Sequence, residues 1–218
     1  MEYVLGNRWL TLKEKVHGRR TVSDYSIKEL RLSDMQLDLL DDFNRYQEVK
    51  KCWRKQEGAW ILKETSFVEQ WDTKRKQEIV TNDLTDCIKS DGTVWGVFDN
   101  DDHLIGFASL SAELFGKRRD YLRLNHLHIS YEYRNQGIGK ELFQKCKEKA
   151  AKAGASQLYI SSHSSEESCA FYFKIGCVDA DEVDVWSIEH EPFDRQIKYV
   201  LNSCAGFDSP GIQDNKEY

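Results

Sequence analysis

The stretch Leu124-Asn-His-Leu-His-Ile-Ser-Tyr-Glu-Tyr-Arg-Asn-Gln-Gly-Ile-Gly-Lys140 reads as a strand, a short polar turn and a glycine-rich entry into a helix. Apolar Leu122, Leu124, Leu127 and Ile129 lie on either side of the polar His126 and His128. After Gly139 the period changes: Leu142, Phe143, Cys146, Ala150 and Ala153 recur at helical spacing, with Lys140, Lys145, Lys147, Lys149 and Lys152 mostly on the other face. Gly137 and Gly139, lacking Cβ atoms, allow several backbone N–H groups to converge where the helix dipole also favours an anion. The stretch therefore predicts a phosphate cradle.

Two nucleotide motifs are excluded. The Lys-Ser/Thr ending of a Walker A loop is missing. The dinucleotide fingerprint needs a third glycine, and Leu142 occupies that region.

At 218 residues, the chain can form one well-packed domain with an extension. The expected layout is a leader at 1–22, a domain at 23–202 and a polar tail at 203–218. A net charge of -6 argues against a dedicated nucleic-acid binder, which carries a basic face. Cys52, Cys87, Cys146, Cys169, Cys177 and Cys204 show neither C-x-x-C pairing nor zinc spacing, so free thiols in a reducing cytoplasm are expected. The N-terminus lacks the apolar core of a signal peptide, and no window approaches the length of a membrane span.

Taken in order, Tyr25–Leu30 alternates like a half-buried strand, and Ser33-Asp34 offers N-cap chemistry for a helix carrying Met35 to Phe43. From Asn44 to Ile79 large aromatics, among them Trp53, Trp60 and Trp71, mix with carboxylates, a composition that could line an amine pocket or cap the core. A helix is expected over Glu78–Ile88. Val94–Phe98 and His103–Leu110 form a hairpin around Asp99–Asp102, a polar turn without the spacing of a calcium loop, and no metal ligand set is visible. Beyond the glycine loop and its helix come a strand at Gln157–Ser161 and a helix from Ser164 to Ile175. Strands over Val178–Trp186 and Gln196–Leu201 are joined by the acidic stretch Glu189–Asp194.

Two pieces carry a family resemblance. One is Leu127-His-Ile-Ser-x-x-x-Arg134-x-x-Gly-x-Gly139; the other is Ser165-x-x-Ser168-x-x-Phe171-Tyr172-x-Lys-Ile-Gly176-Cys177. In this order and in these elements they resemble the GNAT acetyltransferase superfamily. The resemblance implies an α/β (α+β) fold with a single mixed, largely antiparallel central sheet flanked by helices. It implies acetyl-CoA as co-substrate. Leu127 and Ile129 would offer backbone groups to the pantetheine arm, and Arg134, Asn135, Gln136, Gly137, Ile138, Gly139 and Lys140 would hold the pyrophosphate. Tyr172 would protonate the departing thiolate. Ser165 and Ser168 stand where relatives often have asparagine and alanine, which puts their coenzyme contacts in question.

The expected reaction is direct acetyl transfer to an amine, which must lose a proton before it attacks. His126 and His128 are candidate bases by position and imidazole chemistry, with Glu113 and His163 behind them. A bulge in the strand would change which face they address. Trp53, Trp60 and Trp71 are the candidate acceptor residues. A small-molecule amine is the expected acceptor; a peptide amine, or a non-catalytic acyl-CoA sensor, are the alternatives. No nucleic-acid or membrane partner is expected, and a homodimer is compatible with the sequence.

Overall fold

The computed structural model describes residues 24–201 in full and, of the leader, the backbone of Tyr3–Leu5 (β1) and Arg8–Leu10 (β2), which pair antiparallel. The rest of the leader and the polar tail with Cys204 lie outside the described residues. The strands that follow are β3 (Ser26–Glu29), β4 (Gln47–Gln56), β5 (Ala59–Glu69), β6 (Thr93–Phe98), β7 (Leu104–Leu110), β8 (Tyr121–Ile129), β9 (Gln157–Ser162), β10 (Val178–Asp179) and β11 (Arg195–Val200). Helix α1 spans 73–89 and joins Thr73–Glu78, the π-helical Ile79–Leu84 and Thr85–Lys89. It is followed by α2 (Ile138–Lys152), α3 (Glu166–Lys174) and α4 (Val185–His190).

Seven strands form the central sheet in the order β10-β11-β9-β8-β7-β6-β3. Only β8 and β9 run parallel; every other neighbouring pair is antiparallel. Each residue of β7 is buried, as a strand covered on both faces requires. On one face Trp95, Val97, Ile105, Leu122 and Leu124 pack against Leu142, Phe143 and Cys146 of α2 and Tyr172 of α3. On the other, Val94, Leu104 and Phe107 meet Ile79, Val80 and Leu84 of α1 together with Leu40 and Phe43. This is the expected mixed, largely antiparallel sheet between helices.

Two local expectations need correction, and one stretch without an assigned element gains one. No helix follows Ser33-Asp34: a 3-10 turn at Leu32–Asp34 gives way to turns. The Asp34 carboxylate accepts the Arg31 N–H at 2.8 Å, and Leu40 and Phe43 insert singly while Leu37 stays 55% exposed, so no apolar stripe forms. Strand β10 stops at Asp179, because Asp184 accepts the Ser187 N–H at 2.9 Å and starts α4, which carries Trp186. The aromatic stretch after Asn44 is a long hairpin of β4 and β5, a separate sheet. It is stitched to the domain by Trp53 N–H to Ser164 carbonyl at 2.7 Å, and by Arg195, whose guanidinium lies 5.1, 4.7 and 4.6 Å from the Trp53, Trp60 and Phe173 rings.

The described cysteines are buried free thiols, and burial pushes Cys87 and Cys169 up to about 11 and Cys146 and Cys177 to about 12. No described helix is long and apolar enough to cross a membrane.

Candidate active site

Strands β8 and β9 part company. They pair only through Tyr121, Leu122 and Arg123 with Gln157, Leu158 and Tyr159. Beyond that point Leu124–Ile129 keeps its β7 partners, and Ile160–Ser162 keeps its β11 partners. Two backbone edges therefore face a gap, and an extended ligand carrying amides can pair with such an edge as another strand would. Leu127 and Ile129 lie on this half of β8, half-buried against the α2-side core.

The strand also carries a bulge. Ser109 pairs with His126 and Leu110 with Leu124, leaving Asn125 unmatched. Leu122 and Leu124 belong to the α2-side core, whereas His126 and His128 turn to the α1 side, beside Phe107 at 5.9 and 5.3 Å between ring centroids.

At the end of β8 the chain turns sharply into α2. Asn135 and Gly137 adopt positive φ of 64° and 91°, and Gly137 as N-cap has no side-chain cap hydrogen bond. A Cβ on Gly137 would meet open space, so that glycine answers a backbone need. A Cβ on Gly139 would lie 3.4 Å from the Phe171 ring, an ordinary contact between α2 and α3. The first-turn N–H groups of Ile138 and Gly139 have no intrahelical acceptor by helix geometry, and the dipole there favours an anion. Lys140 is exposed on the same turn, and the Gln136 amide donates to the Glu132 carbonyl at 3.4 Å.

The Arg134 side chain reaches back from the turn to two backbone carbonyls. Its Nε donates to the Ile129 carbonyl at 2.9 Å and an Nη to the Arg45 carbonyl at 3.1 Å. Burial holds its guanidinium down at about 10. The side chain thus braces the loop.

Tyr172 sits on α3 within the α2-side core, in the cluster that includes Leu124 of β8 and Ile160 of β9, the two strands that separate. Phe171 and Phe143 flank its ring at 5.1 and 6.3 Å. Among the described residues its hydroxyl makes no hydrogen bond, and burial holds the phenol well above its ordinary range. Burial thus holds the phenol in its neutral form.

The remaining predicted residues are dispersed. Ser165 is fully buried and caps α3: its Oγ accepts the Ser168 N–H at 3.3 Å and the Gln47 amide at 3.1 Å. Its hydroxyl donates to Ser168 Oγ at 2.9 Å, which leaves half-buried Ser168 as the member with surface to offer. His126 Nε2 lies 3.5 Å from Asp83, on the π-helical turn of α1. The ring of His128 packs edge-on to Trp71 at 4.9 Å; burial, then Arg45, holds it well below the usual imidazole range, hence neutral. Trp71 therefore joins the histidines, while Trp53 and Trp60 surround Arg195 and stand apart from them. Glu113 is exposed, 3.6 Å from Arg119, and His163 lies 3.8 Å from Glu69.

The family model for the acetyltransferase (GNAT) family matches residues 43–177, which includes both halves of the split, the glycine turn and Tyr172. The chain belongs to the GNAT acetyltransferase family. Solved structures share its fold. Nourseothricin acetyltransferase aligns with a TM-score of 0.59 at 14% identity, over 81% of this chain and 98% of its own. A Bacillus anthracis protein provisionally described as a streptothricin acetyltransferase, in complex with acetyl coenzyme A, aligns at 0.58 and 18%, over 82% and 98%. PaiA N-acetyltransferase of Thermoplasma acidophilum, in complex with coenzyme A, aligns at 0.51 and 18%, over 81% and 99%. No curated protein sequence matches the chain. Within this GNAT domain the matched stretch carries the split of β8 and β9, the α2 N-terminus without a side-chain cap, and the buried Tyr172.

Residue-by-residue reading of the sequence missed Asp83, Arg45 and Asp194. Asp83 needed the π-turn to face His126. Arg45, 7% exposed, donates to Gln47 at 2.9 Å and lies 5.6 Å from the Trp71 ring, contacts that only the hairpin creates. Asp194 was visible only as part of an acidic connection.

Proposed function

We propose that this GNAT protein moves the acetyl group of acetyl-CoA to the primary amine of a small molecule. The observation that carries the reading is the neutral phenol of Tyr172, free of hydrogen bonds among the described residues, in the cluster where β8 and β9 part. The thioester would lie along the free edge of β8, with its diphosphate at the α2 N-terminus and Lys140. Backbone N–H groups of Leu127 to Ile129 would polarise the thioester carbonyl. The amine nitrogen adds to that carbonyl, the C–S bond breaks, and Tyr172 gives its proton to the sulfur. The tetrahedral nitrogen loses its second proton to the phenolate, which resets Tyr172 for the next cycle.

A small molecule is favoured over a peptide by two features. The β4–β5 hairpin and the connection before β11 approach each other around a small hollow, and the neighbours at TM-scores of 0.59 and 0.58 are named for nourseothricin and streptothricin. The test is coenzyme A release measured with a thiol reagent on panels of free amines and of peptides. Release with free amines and none with peptides is expected. Release with peptides alone would reverse the choice of acceptor, and tight acetyl-CoA binding without release on either panel would mark a sensor domain.

A further inference from the structure

A hollow of about 280 Å³ opens between the β4–β5 hairpin and the loop that joins α4 to β11. Its walls include Arg54 and Phe67 from the hairpin, His163 after β9, and Glu191, Phe193 and Asp194 from the loop. Its volume falls just below the usual range of small-molecule pockets. We infer that this hollow is the acceptor pocket, where the Glu191–Asp194 carboxyl pair receives a primary ammonium on a compact apolar or aromatic stem and Asp194 removes its proton. The inference rests on the acetyltransferase reading and names the acceptor class and base it lacks.

Position comes first. Asp194 lies 3.5 Å from the hydroxyl of Ser161, a residue of the half of β9 that has left β8. Ser161 alternates with Leu158 and Ile160, which belong to the α2-side core, so it lies on the opposite face from Tyr172. Asp194 thus stands beside the half of β9 that has left β8, near enough to α3 for its charge to act on Tyr172.

Charge comes second. The groups facing Asp194 are Glu191 on its own loop, Glu69 and Arg54 from the hairpin, His163 at the end of β9, His190 at the end of α4, and Cys169 and Tyr172 of α3. Arg54 is already committed: it donates to Ser164 Oγ at 2.6 Å and to the Trp53 carbonyl at 2.8 Å, and it lies 4.9 Å from the Phe193 ring. Burial lowers the His163 pKa, which favours its neutral form. Glu191 and Asp194 on the wall, with Glu69 nearby, outnumber the Arg54 guanidinium, which already lies over the Phe193 ring, and Phe67 adds a further aromatic face. Burial, then Glu191, raises the Asp194 carboxyl to about 7, where a base both exists ionised and holds a proton.

In the step itself an N–H bond of the ammonium breaks and its proton goes to Asp194. The freed lone pair forms the C–N bond, the C–S electrons go to sulfur, and Tyr172 protonates the thiolate. The second nitrogen proton restores Tyr172, and Asp194 releases its proton to water.

The test uses Asp194→Asn and Glu191→Gln in the full chain, with acetyl-CoA binding as the control for folding. Benzylamine, phenethylamine and cadaverine serve as probes, read by ligand-observed NMR and by turnover. Binding of at least one probe by wild type, weakened tenfold or more in both variants while acetyl-CoA affinity holds, supports the pocket. A hundredfold lower kcat for Asp194→Asn, with loss of the acid limb near pH 7, supports the base. Wild-type kinetics and pH profile in Asp194→Asn overturn the inference and leave the transferase reading standing. Probe binding that depends on the pair without any turnover supports the pocket and overturns the transferase reading.

Discussion

Leu124 and His126 are two residues apart on one strand, yet their side chains leave opposite faces of the sheet, because Asn125 between them has no β7 partner. Side chains of period two would have placed both histidines in the α2-side core. Instead His128 sits neutral among Trp71, Phe107 and Arg45. Its folded pKa is depressed, so below about pH 6.5 the unfolded chain binds the extra proton. Stability is expected to fall as pH drops through that value, and His128→Gln should flatten that limb. Thermal melts between pH 5 and 8 check this.

Tyr172→Phe removes the hydroxyl and keeps the ring between Phe143 and Phe171. The expected loss in kcat is about 10²- to 10⁴-fold with acetyl-CoA affinity unchanged. Steady-state kinetics beside calorimetric titration separates the two quantities. An unchanged kcat would remove Tyr172 from the chemistry.

Gly137→Ala and Gly139→Ala should differ in cause. At Gly137, with φ 91° and open space around a Cβ, the cost is conformational, about 1–2 kcal/mol, and falls on the anion-binding turn. At Gly139 a Cβ meets Phe171 at an ordinary 3.4 Å, so the fold should tolerate it. Acetyl-CoA affinity and melting temperature of the two variants make the comparison.

Asp194 should act on stability in the opposite sense to His128. Its folded pKa, raised to about 7, means that the folded chain holds a proton which the unfolded chain has already lost. The contribution is full below about pH 4 and disappears as pH rises through about 7. Asp194→Asn is expected to melt higher than wild type at pH 8, with the gap closing toward pH 4. A variant that melts lower at pH 8 would contradict the burial of this carboxyl.

Arg195, 8% exposed, holds Asp179 through two hydrogen bonds of 2.7 and 2.9 Å while lying near Trp53, Trp60 and Phe173. Arg195→Lys keeps the charge but loses the planar fork and the stacking, a loss of about 1–3 kcal/mol. Increased proteolysis within 47–69 in this variant would show that the residue fastens the hairpin.

Much of the fold was legible because its signals are local. The apolar run of β7, the change of period after Gly139 and the capping serine at 165 each act within a few residues. The hairpin of β4 and β5 was not legible, since its aromatics serve a contact with Arg195, well over a hundred residues away in the chain. The missing helix after Ser33-Asp34 had the same origin: Leu40 and Phe43 insert singly against α1 and β7, and tertiary burial outweighed an acceptable cap.

By itself, the stretch from Leu124 to Lys140 determined a strand, a tight glycine turn and a helix N-terminus able to hold a phosphate. Glycine torsions, helix dipoles and apolar periodicity are properties of neighbouring residues. Tertiary structure decided what that stretch faces. The one-residue bulge at Asn125 turned both histidines away from Tyr172, the separation of β8 from β9 exposed the backbone edges, and Arg134 became a brace between two carbonyls. The approach of the loop before β11 to the hairpin then brought two carboxyls and two phenyl rings around one hollow. Those outcomes depend on contacts between distant segments, where burial and charge, more than local propensity, determine the energy.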